Sequence, residues 1–294
     1  MRSGLAAVVG RPNVGKSSLV NAIVGQKVSI VTDKPQTTRG PIHGVLTTDE
    51  HQLVFVDTPG FHKPRTLLGE RLNRMVEEST EEIDAVVLMV DAAAGIGRGD
   101  AFVAEDRVAP LRCLKVCVVN KVDLVKGEAL LPELDAAGKL ARFDHVIPAS
   151  AKKGQGLREL VGVLLEALPE GPAYFPPGEV TDQPVELRVA EVVREKVLGL
   201  TREEIPHSVA VQVDEMADDP DRADILRITC LILVERESQK GIVICRGGSV
   251  LKRIGTMARQ EIEAMLGRRV FLELRVKVLR EWQRDPVALQ RLGY

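Results

Sequence analysis

The sequence predicts two domains in tandem: an α/β domain whose mostly parallel sheet is covered by helices on both faces, then a smaller α+β domain. Three observations predict this. The chain has 294 residues, more than the about 100–200 residues of one domain. In its first part, up to about residue 170, short apolar runs alternate with amphipathic stretches, the signature of βαβ units. From Pro169 to Pro184 five prolines, with Gly171 and Gly178, then stop any helix and mark a linker over 171–184; beyond it the order of elements changes.

The first domain, 1–170, takes its strands from Leu5–Val9, Leu53–Val56, Ala85–Val90, Val116–Val119 and His145–Pro148. Each is a short apolar run of the kind a sheet buried on both faces requires. Ser17–Val24, Leu67–Glu78, Ala101–Leu111 and Leu157–Leu168 read as helices between them. In the second domain, 185–294, Val185–Leu198 reads as a helix and Ser208–Val213 as a strand. Ile225–Glu235 is a second strand, after the polar turn Ala217–Ala223. A helical region from about Ser249 to Leu266 follows, with Gly255 as a candidate break, and a strand carries alternating apolar residues from Val270 to Val278. The order is α-β-β-α-β.

Composition is that of a folded soluble protein: 45% hydrophobic, 28% charged. With 3% aromatics, the core must come from Val, Leu, Ile and Ala. No apolar run approaches the roughly 18 residues of a membrane span, and the first residues lack a signal peptide's pattern. The cysteines, Cys113, Cys117, Cys230 and Cys245, follow no zinc spacing; Cys113 and Cys117 read as small core residues, and so few suit a reducing cytosol.

Gly10-Arg11-Pro12-Asn13-Val14-Gly15-Lys16-Ser17 fits G-x-x-x-x-G-K-[ST] between a strand and a helix. Its backbone N–H groups and the helix N-terminus cradle phosphates, with Lys16 on the β- and γ-phosphates and the Ser17 hydroxyl on Mg²⁺. Asn120-Lys121-Val122-Asp123 follows an apolar strand. There a carboxylate at 123 accepts both N1–H and the 2-amino group of guanine, so a buried Asp123 left unpaired by adenine would cost roughly 1–3 kcal/mol. GTP or GDP is therefore the expected ligand. Asp57-Thr58-Pro59-Gly60 ends another strand: Asp57 is placed to hold Mg²⁺ through water, and the Gly60 N–H to meet the γ-phosphate. Ser150-Ala151-Lys152 can close over the base, and a threonine of Pro35-Gln36-Thr37-Thr38-Arg39 can complete the Mg²⁺ shell.

The formal net charge of −2 conceals two unlike parts. From Arg227 to Arg284 there are 13 Lys or Arg and 6 Asp or Glu, a surplus of +7 that leaves −9 elsewhere. Such a basic segment is either a solvated face or the footprint of a polyanion site. Inside it, Cys245-Arg246-Gly247-Gly248 leads into a helix, so a nucleic-acid backbone can approach the glycines closely, with Lys240, Lys252 and Arg253 adding phosphate contacts.

The ordered set GRPNVGKS, QTTRG, DTPG, NKVD and SAK resembles the translation-factor-related GTPases. With VDTPGFHKPRTLLGERLN, LVERESQKGIVI and EWQRDPVALQRLGY, it is most similar to the Era family, bacterial GTPases with a C-terminal RNA-binding KH domain. The likeness spans essentially the whole chain. It implies a P-loop GTPase domain followed by a type II KH domain that binds the 3′ end of small-subunit (16S) ribosomal RNA during rRNA processing and 30S biogenesis. It also implies Thr38 as the metal-binding threonine among the catalytic set Asn13, Lys16, Thr38, Asp57 and Gly60, and Asn13 as the residue beside which K⁺ stands in for an arginine finger. Phe61 stands where Ras-like enzymes carry the water-orienting glutamine, so hydrolysis is expected to be slow unaided. The family's glycine at the first position of the KH loop is Cys245 here, which either narrows the approach or demands φ > 0 of a residue that tolerates it poorly. A cytoplasmic monomer is expected, with the family's peripheral association at the inner face of the membrane. The competing readings are a membrane-surface signalling GTPase and an RNA-binding assembly protein with a merely structural nucleotide site.

Overall fold

The structure, a computed structural model, describes residues 1–34, 37–60, 66–78, 82–201 and 205–294. The chain forms two compact units. One comprises Met1–Val31, Thr38–Arg65 and Gly69–Asp182; the other comprises Thr32–Thr37, Thr66–Leu68 and Gln183–Tyr294.

The first unit is a six-stranded sheet, β1 (Arg2–Gly10), β2 (Ile42–Thr47), β3 (His51–Asp57), β4 (Ala85–Asp91), β5 (Leu114–Asn120) and β6 (His145–Pro148), in the order β2-β3-β1-β4-β5-β6. All pairings are parallel except that of the edge strand β2 with β3. Because side chains alternate along a strand, a sheet covered on both faces needs apolar residues at every position. Ala6, Val8, Val87 and Met89 face one core, completed by Leu19 and Val20 of α1 (Lys16–Val24) and Leu160 and Leu164 of α5 (Leu157–Ala167). Ala7, Val9, Val86 and Leu88 face the other, with Val76 of α2 (Leu67–Glu78), Val103 of α3 (Arg98–Val103) and Ala137 of α4 (Gly127–Gly138).

Several sequence expectations change. The strand β2 escapes a period-2 reading because Gly44 interrupts it. A Cβ there would lie 2.5 Å from Val20 Cγ1, so the glycine lets α1 approach the sheet. The helix α4 holds Pro132 in its interior and begins on Gly127, both counter-signals to helix. The helix expected over Ala101–Leu111 starts earlier, at Arg98, and widens over Ala104–Val108 into a π-type turn. The proline-rich segment is anchored rather than loose. Gln52, fully buried, donates to the Phe175 carbonyl (2.9 Å) and accepts from the Tyr174 and Phe175 N–H groups (2.7 and 2.9 Å), while the Val45 N–H donates to the Val180 carbonyl (2.9 Å).

The second unit is built from α6 (Val185–Leu200), α7 (Ile205–Ser208), β7 (Ala210–Asp218), β8 (Ile225–Val234), α8 (Glu237–Ile244), α9 (Ser249–Leu266), β9 (Arg269–Val278) and α10 (Pro286–Arg291). Its sheet runs β7-β8-β9, the first pair antiparallel and the second parallel. Val189, Val193 and Val197 recur at helical spacing along α6, as Ile254, Ala258 and Ile262 do along α9, and all are buried. Trp282, also buried, donates from Nε1 to the Ser208 carbonyl (3.1 Å) and stacks on Tyr294. Here the α-β-β-α-β expectation is corrected. Gly255 does not break α9; the extra helix is α8, which lies before the glycine turn and reads in the sequence as the end of an apolar run.

Candidate nucleotide site and nucleic-acid surface

The parallel register of β1 on β3 sets Val8 opposite Asp57, so the P-loop and the DTPG turn leave the sheet side by side. Thr58 Oγ1 donates to the Val8 carbonyl (2.7 Å) and ties the two together. Gly60 follows where a Cβ would sit 2.8 Å from the Pro12 backbone, so no other residue allows this approach. Within the loop Gly10, Asn13 and Gly15 take positive φ. Gly15 is the N-terminal cap of α1, which turns the first free N–H groups of that helix toward the loop.

At the floor lie two buried ions of opposite sign. Lys16 Nζ donates to the Gly10 and Arg11 carbonyls (3.2 and 3.0 Å), and burial lowers its pKa to about 8 against the opposing pull of Asp57. Asp57 is fully buried, no hydroxyl meets its carboxylate oxygens in good hydrogen-bond geometry although those of Ser17, Ser29 and Thr38 face it, and burial raises its pKa against their pull and that of Lys16. Ser17 Oγ and Thr38 Oγ1 stand 3.0 Å apart beside it. A buried carboxylate with the hydroxyls of Ser17, Ser29 and Thr38 around it is a set of oxygen ligands that fits a hard cation. It is not a cluster of His, Cys, Asp and Glu, and none of that kind with three or more members occurs among the described residues.

The base side is assembled by Asn120, whose amide donates to the Val14 carbonyl (2.8 Å) and whose oxygen accepts from the Ala151 N–H (3.0 Å). One side chain thus joins the P-loop, the NKVD turn and the SAK turn. Ser150 Oγ donates to Asp123 Oδ1 (2.6 Å), aiming the carboxylate. The structure corrects one expectation: Asp123 is exposed, not buried. Lys121, in the left-handed region, donates to the Asn13 carbonyl (2.8 Å) and to Asp91 (2.5 Å). Lys152 is exposed. Asp91, the last residue of the apolar strand β4, is a site residue the sequence reading missed; its signal was an aspartate ending a buried strand, as Asp57 ends β3. Pro35, Gln36 and Phe61 lie outside the described residues.

In the second unit Cys245, Arg246, Gly247 and Gly248 join α8 to α9. Arg246, Lys252 and Arg253 are exposed and Lys240 half-buried, and none of the four is ion-paired among the described residues. Beside them a groove of about 400 Å³ is lined by Gly248, Leu251, Lys252, Gly255, Thr256 and Arg259 and by Leu272 and Leu274 of the edge strand β9. Its leucine floor and cationic rim suit unstacked bases and their phosphates. The leucines and Arg259 were missed in the sequence because an alternating strand reads first as core. Of the cysteines, Cys117 and Cys230 are buried and Cys245 is exposed; Cys113, expected in the core, is only half-buried.

The model of the 50S ribosome-binding GTPase family matches residues 5–121, and that of the KH domain residues 204–283. The chain is 46% identical to GTPase Era of Mycolicibacterium smegmatis over 296 aligned residues, covering 100% of this chain and 99% of the relative. The chain belongs to the Era family. It is therefore a GTPase with a C-terminal KH domain. GTPase Era of Mycobacterium tuberculosis is 46% identical and covers 99% of this chain and 98% of its own. Two solved structures share the architecture at 41% identity, covering 100% of this chain and 99% of theirs. One is a variant of Aquifex aeolicus Era bound to GDP and AlF₄⁻, with a TM-score of 0.96; the other is Era with MgGDPNP and nucleotides 1506–1542 of 16S ribosomal RNA, with a TM-score of 0.97. No helix among the described residues is long and apolar enough to cross a membrane.

Two predictions follow from the geometry of these sites. With Lys16 at about 8 in the free protein and held charged once phosphates surround it, binding must take up a proton above that pH. Nucleotide affinity is then flat just below pH 8 and falls by up to about tenfold per pH unit above it. Equilibrium titration from about pH 7 to about pH 10 checks this, and affinity that stays constant through pH 9 refutes it. At Cys245, φ 60 and ψ 179 place a Cβ-bearing residue where glycine belongs, a strain of about 1–3 kcal/mol. Cys245→Gly should raise the unfolding free energy of the chain by about that amount in denaturant melts, and an unchanged midpoint counts against it.

Proposed function

We propose that this chain is a GTP-hydrolysing switch that binds the 3′ end of small-subunit ribosomal RNA during 30S assembly, in the cytoplasm. The observation that carries the nucleotide half is the buried Asp57, flanked by Lys16, Ser17 and Thr38. In this reading Ser17 and Thr38 hold Mg²⁺ directly and Asp57 holds it through water. The metal, when bound, neutralises charge on the β- and γ-phosphate oxygens. Gly10–Ser17 wraps the phosphates with its N–H groups, Lys16 approaches the β- and γ-phosphates, and Gly60 meets the γ-phosphate. Asn120, Lys121, Asp123 and the turn Ser150–Lys152 hold guanine. Asn13, exposed at the lip of the loop, is positioned to share a K⁺ ion with the phosphates.

The RNA half is supported by the unpaired cations Lys240, Arg246, Lys252 and Arg253 around the Gly247-Gly248 turn, by the leucine groove beside them, and by the related Era captured with 16S rRNA nucleotides. For the switch to work, RNA must bind the two nucleotide states with different affinity.

Replacing K⁺ by Na⁺ should lower GTP turnover, and Asn13→Ala should abolish the difference; equal rates of the unmodified protein in both salts would remove K⁺ from the reading. The decisive test is the affinity of the full chain for a single-stranded RNA of the 16S 3′ end, with GDP and with a non-hydrolysable GTP analogue. Tighter binding with the analogue is expected, and removing the charges of Lys252 and Arg253 should reduce the salt dependence by about two ions. Equal affinity in both nucleotide states, or a salt dependence untouched by the double substitution, contradicts it.

A further inference from the structure

A cation inside a phosphate loop invites the reading that it faces the phosphates, and Arg11 is the second residue of Gly10–Ser17. The structure gives its guanidinium other partners. Its Nε donates to Asp100 Oδ1 (2.7 Å) and its Nη2 to the Gly95 carbonyl (3.3 Å). Both acceptors lie on the segment from Asp91, the last residue of β4, to Asp100 in the first turn of α3. Every residue of this arrangement belongs to the first unit. Asp100 is 1% exposed, and its second oxygen serves its own helix: Oδ2 accepts from the Gly97 N–H (3.0 Å). Losing the arginine would leave uncompensated buried charge, so Asp100 holds it firmly. At Gly99 a Cβ would lie 2.6 Å from Arg11 Cδ, so this glycine lets the arginine stem lie across α3.

The other end of the same segment grips the loop as well. Asp91 Oδ1 accepts from the Ala93 and Ala94 N–H groups (2.9 and 3.2 Å). Its Oδ2 meets Lys121 Nζ (2.5 Å), which donates to the Asn13 carbonyl (2.8 Å). Residues 91–100 thus hold the lip of the loop on both sides of Pro12, at Arg11 through its side chain and at Asn13 through Lys121. Asn13 stands at φ 63, a conformation that a free chain seldom visits. We infer that Arg11 is a positioning residue of the nucleotide site and that its guanidinium is not a phosphate ligand: pairing with Asp100 fixes the lip of the phosphate loop before nucleotide arrives.

This inference rests on the reading that Gly10–Ser17 wraps the phosphates. A loop ordered beforehand binds more tightly than one that the ligand must order. The ordering is the same whether GDP or GTP enters, so the contribution is uniform. It strengthens both complexes equally and acts on KM rather than on the chemical step. An arginine that touched the transferring phosphate would do the opposite.

The test uses the full chain in three forms. The double substitution Arg11→Met and Asp100→Asn removes both charges together and leaves an amide to cap α3. Gly99→Ala keeps every charge, suits a helix and drives the Arg11 stem aside. Arg11→Lys keeps the cation but loses the fork. Affinities for GDP and for a non-hydrolysable GTP analogue are measured, with kcat and KM for GTP and amide hydrogen exchange at residues 11, 13 and 14 in the nucleotide-free protein. The double variant should bind both nucleotides more weakly by one common factor, about five- to thirtyfold, the entropy of fixing one residue. Its exchange at residues 11, 13 and 14 should be faster, and its loss of kcat/KM should lie in KM. Gly99→Ala and Arg11→Lys should move both affinities the same way by smaller factors. A fall in kcat with GDP affinity unaltered, a loss confined to the GTP analogue, or unaltered exchange overturns the inference. The unmodified protein tests the reading beneath it. If GDP does not slow exchange at residues 13–17, the phosphate-loop reading fails and takes the inference with it. If GDP does slow it and the double variant binds GDP as the wild type does, the inference fails alone.

Discussion

The nucleotide unit is organised around a carboxylate that its own fold buries. Asp57 is fully buried, and no hydroxyl meets its oxygens in good hydrogen-bond geometry. Taking such a group from water without a well-placed donor costs several kcal/mol, which is why burial raises its pKa and why Lys16 beside it is depressed. The sheet forces the arrangement: β3 ends at Asp57 in register with Val8, and Thr58 binds the Val8 carbonyl. The fold thus holds two buried ions of opposite sign side by side at the P-loop. In the proposed function, a divalent cation and phosphate oxygens would give both groups their counter-charge.

Most of the fold was legible because the parallel sheet is buried on both faces, so each central strand is a short apolar run bounded by polar residues. The motifs were legible for the same reason, since each sits where such a run ends. What was not legible depended on neighbours. Gly44 interrupts the pattern of β2 and is accommodated because Val20 packs against it, and Pro132 lies inside α4, where a proline signals against helix. The exposure of Asp123 could not be read from its motif, because the motif specifies what the residue accepts and not what covers it. Leu272 and Leu274 looked like core because alternation on a strand does not distinguish a packed face from a groove.

The surplus of basic charge was visible in the sequence, but its distribution was not. Five of the basic residues are spent on nearby carboxylates: Arg227 on Asp219 (3.6 Å), Arg259 on Glu263 (3.2 Å), Arg268 on Asp218 (2.8 Å), Arg269 on Asp224 (3.1 Å) and Arg275 on Glu273 (2.8 Å). Exposed pairs of this kind add little stability, yet each reduces what a polyanion would feel. The cations left unpaired concentrate at the Gly247-Gly248 turn and the first turns of α9, where the helix N-terminus also favours negative charge. The pairing therefore leaves Arg246, Lys252 and Arg253 as a group of unpaired cations at this turn.

That turn and the P-loop solve the same problem with different residues. Both must expose backbone at the mouth of a helix, and both use positive φ to do so. In the P-loop the positions fall on Gly10, Asn13 and Gly15, which tolerate them. In the second unit they fall on Cys245, Gly247 and Gly248. A Cβ at either glycine would meet nothing within 4 Å, so space is open there for an approaching backbone. At residue 245 the region is almost reserved for glycine, yet the chain adopts it. Two hydrogen bonds account for this: the Cys245 N–H donates to the Gly241 carbonyl (2.8 Å), and the Gly248 N–H donates to the Cys245 carbonyl (3.2 Å). Neither bond involves the side chain. The shape of the turn is thus set by the end of α8 and the start of α9, and the residue at 245 determines only how much strain that shape carries.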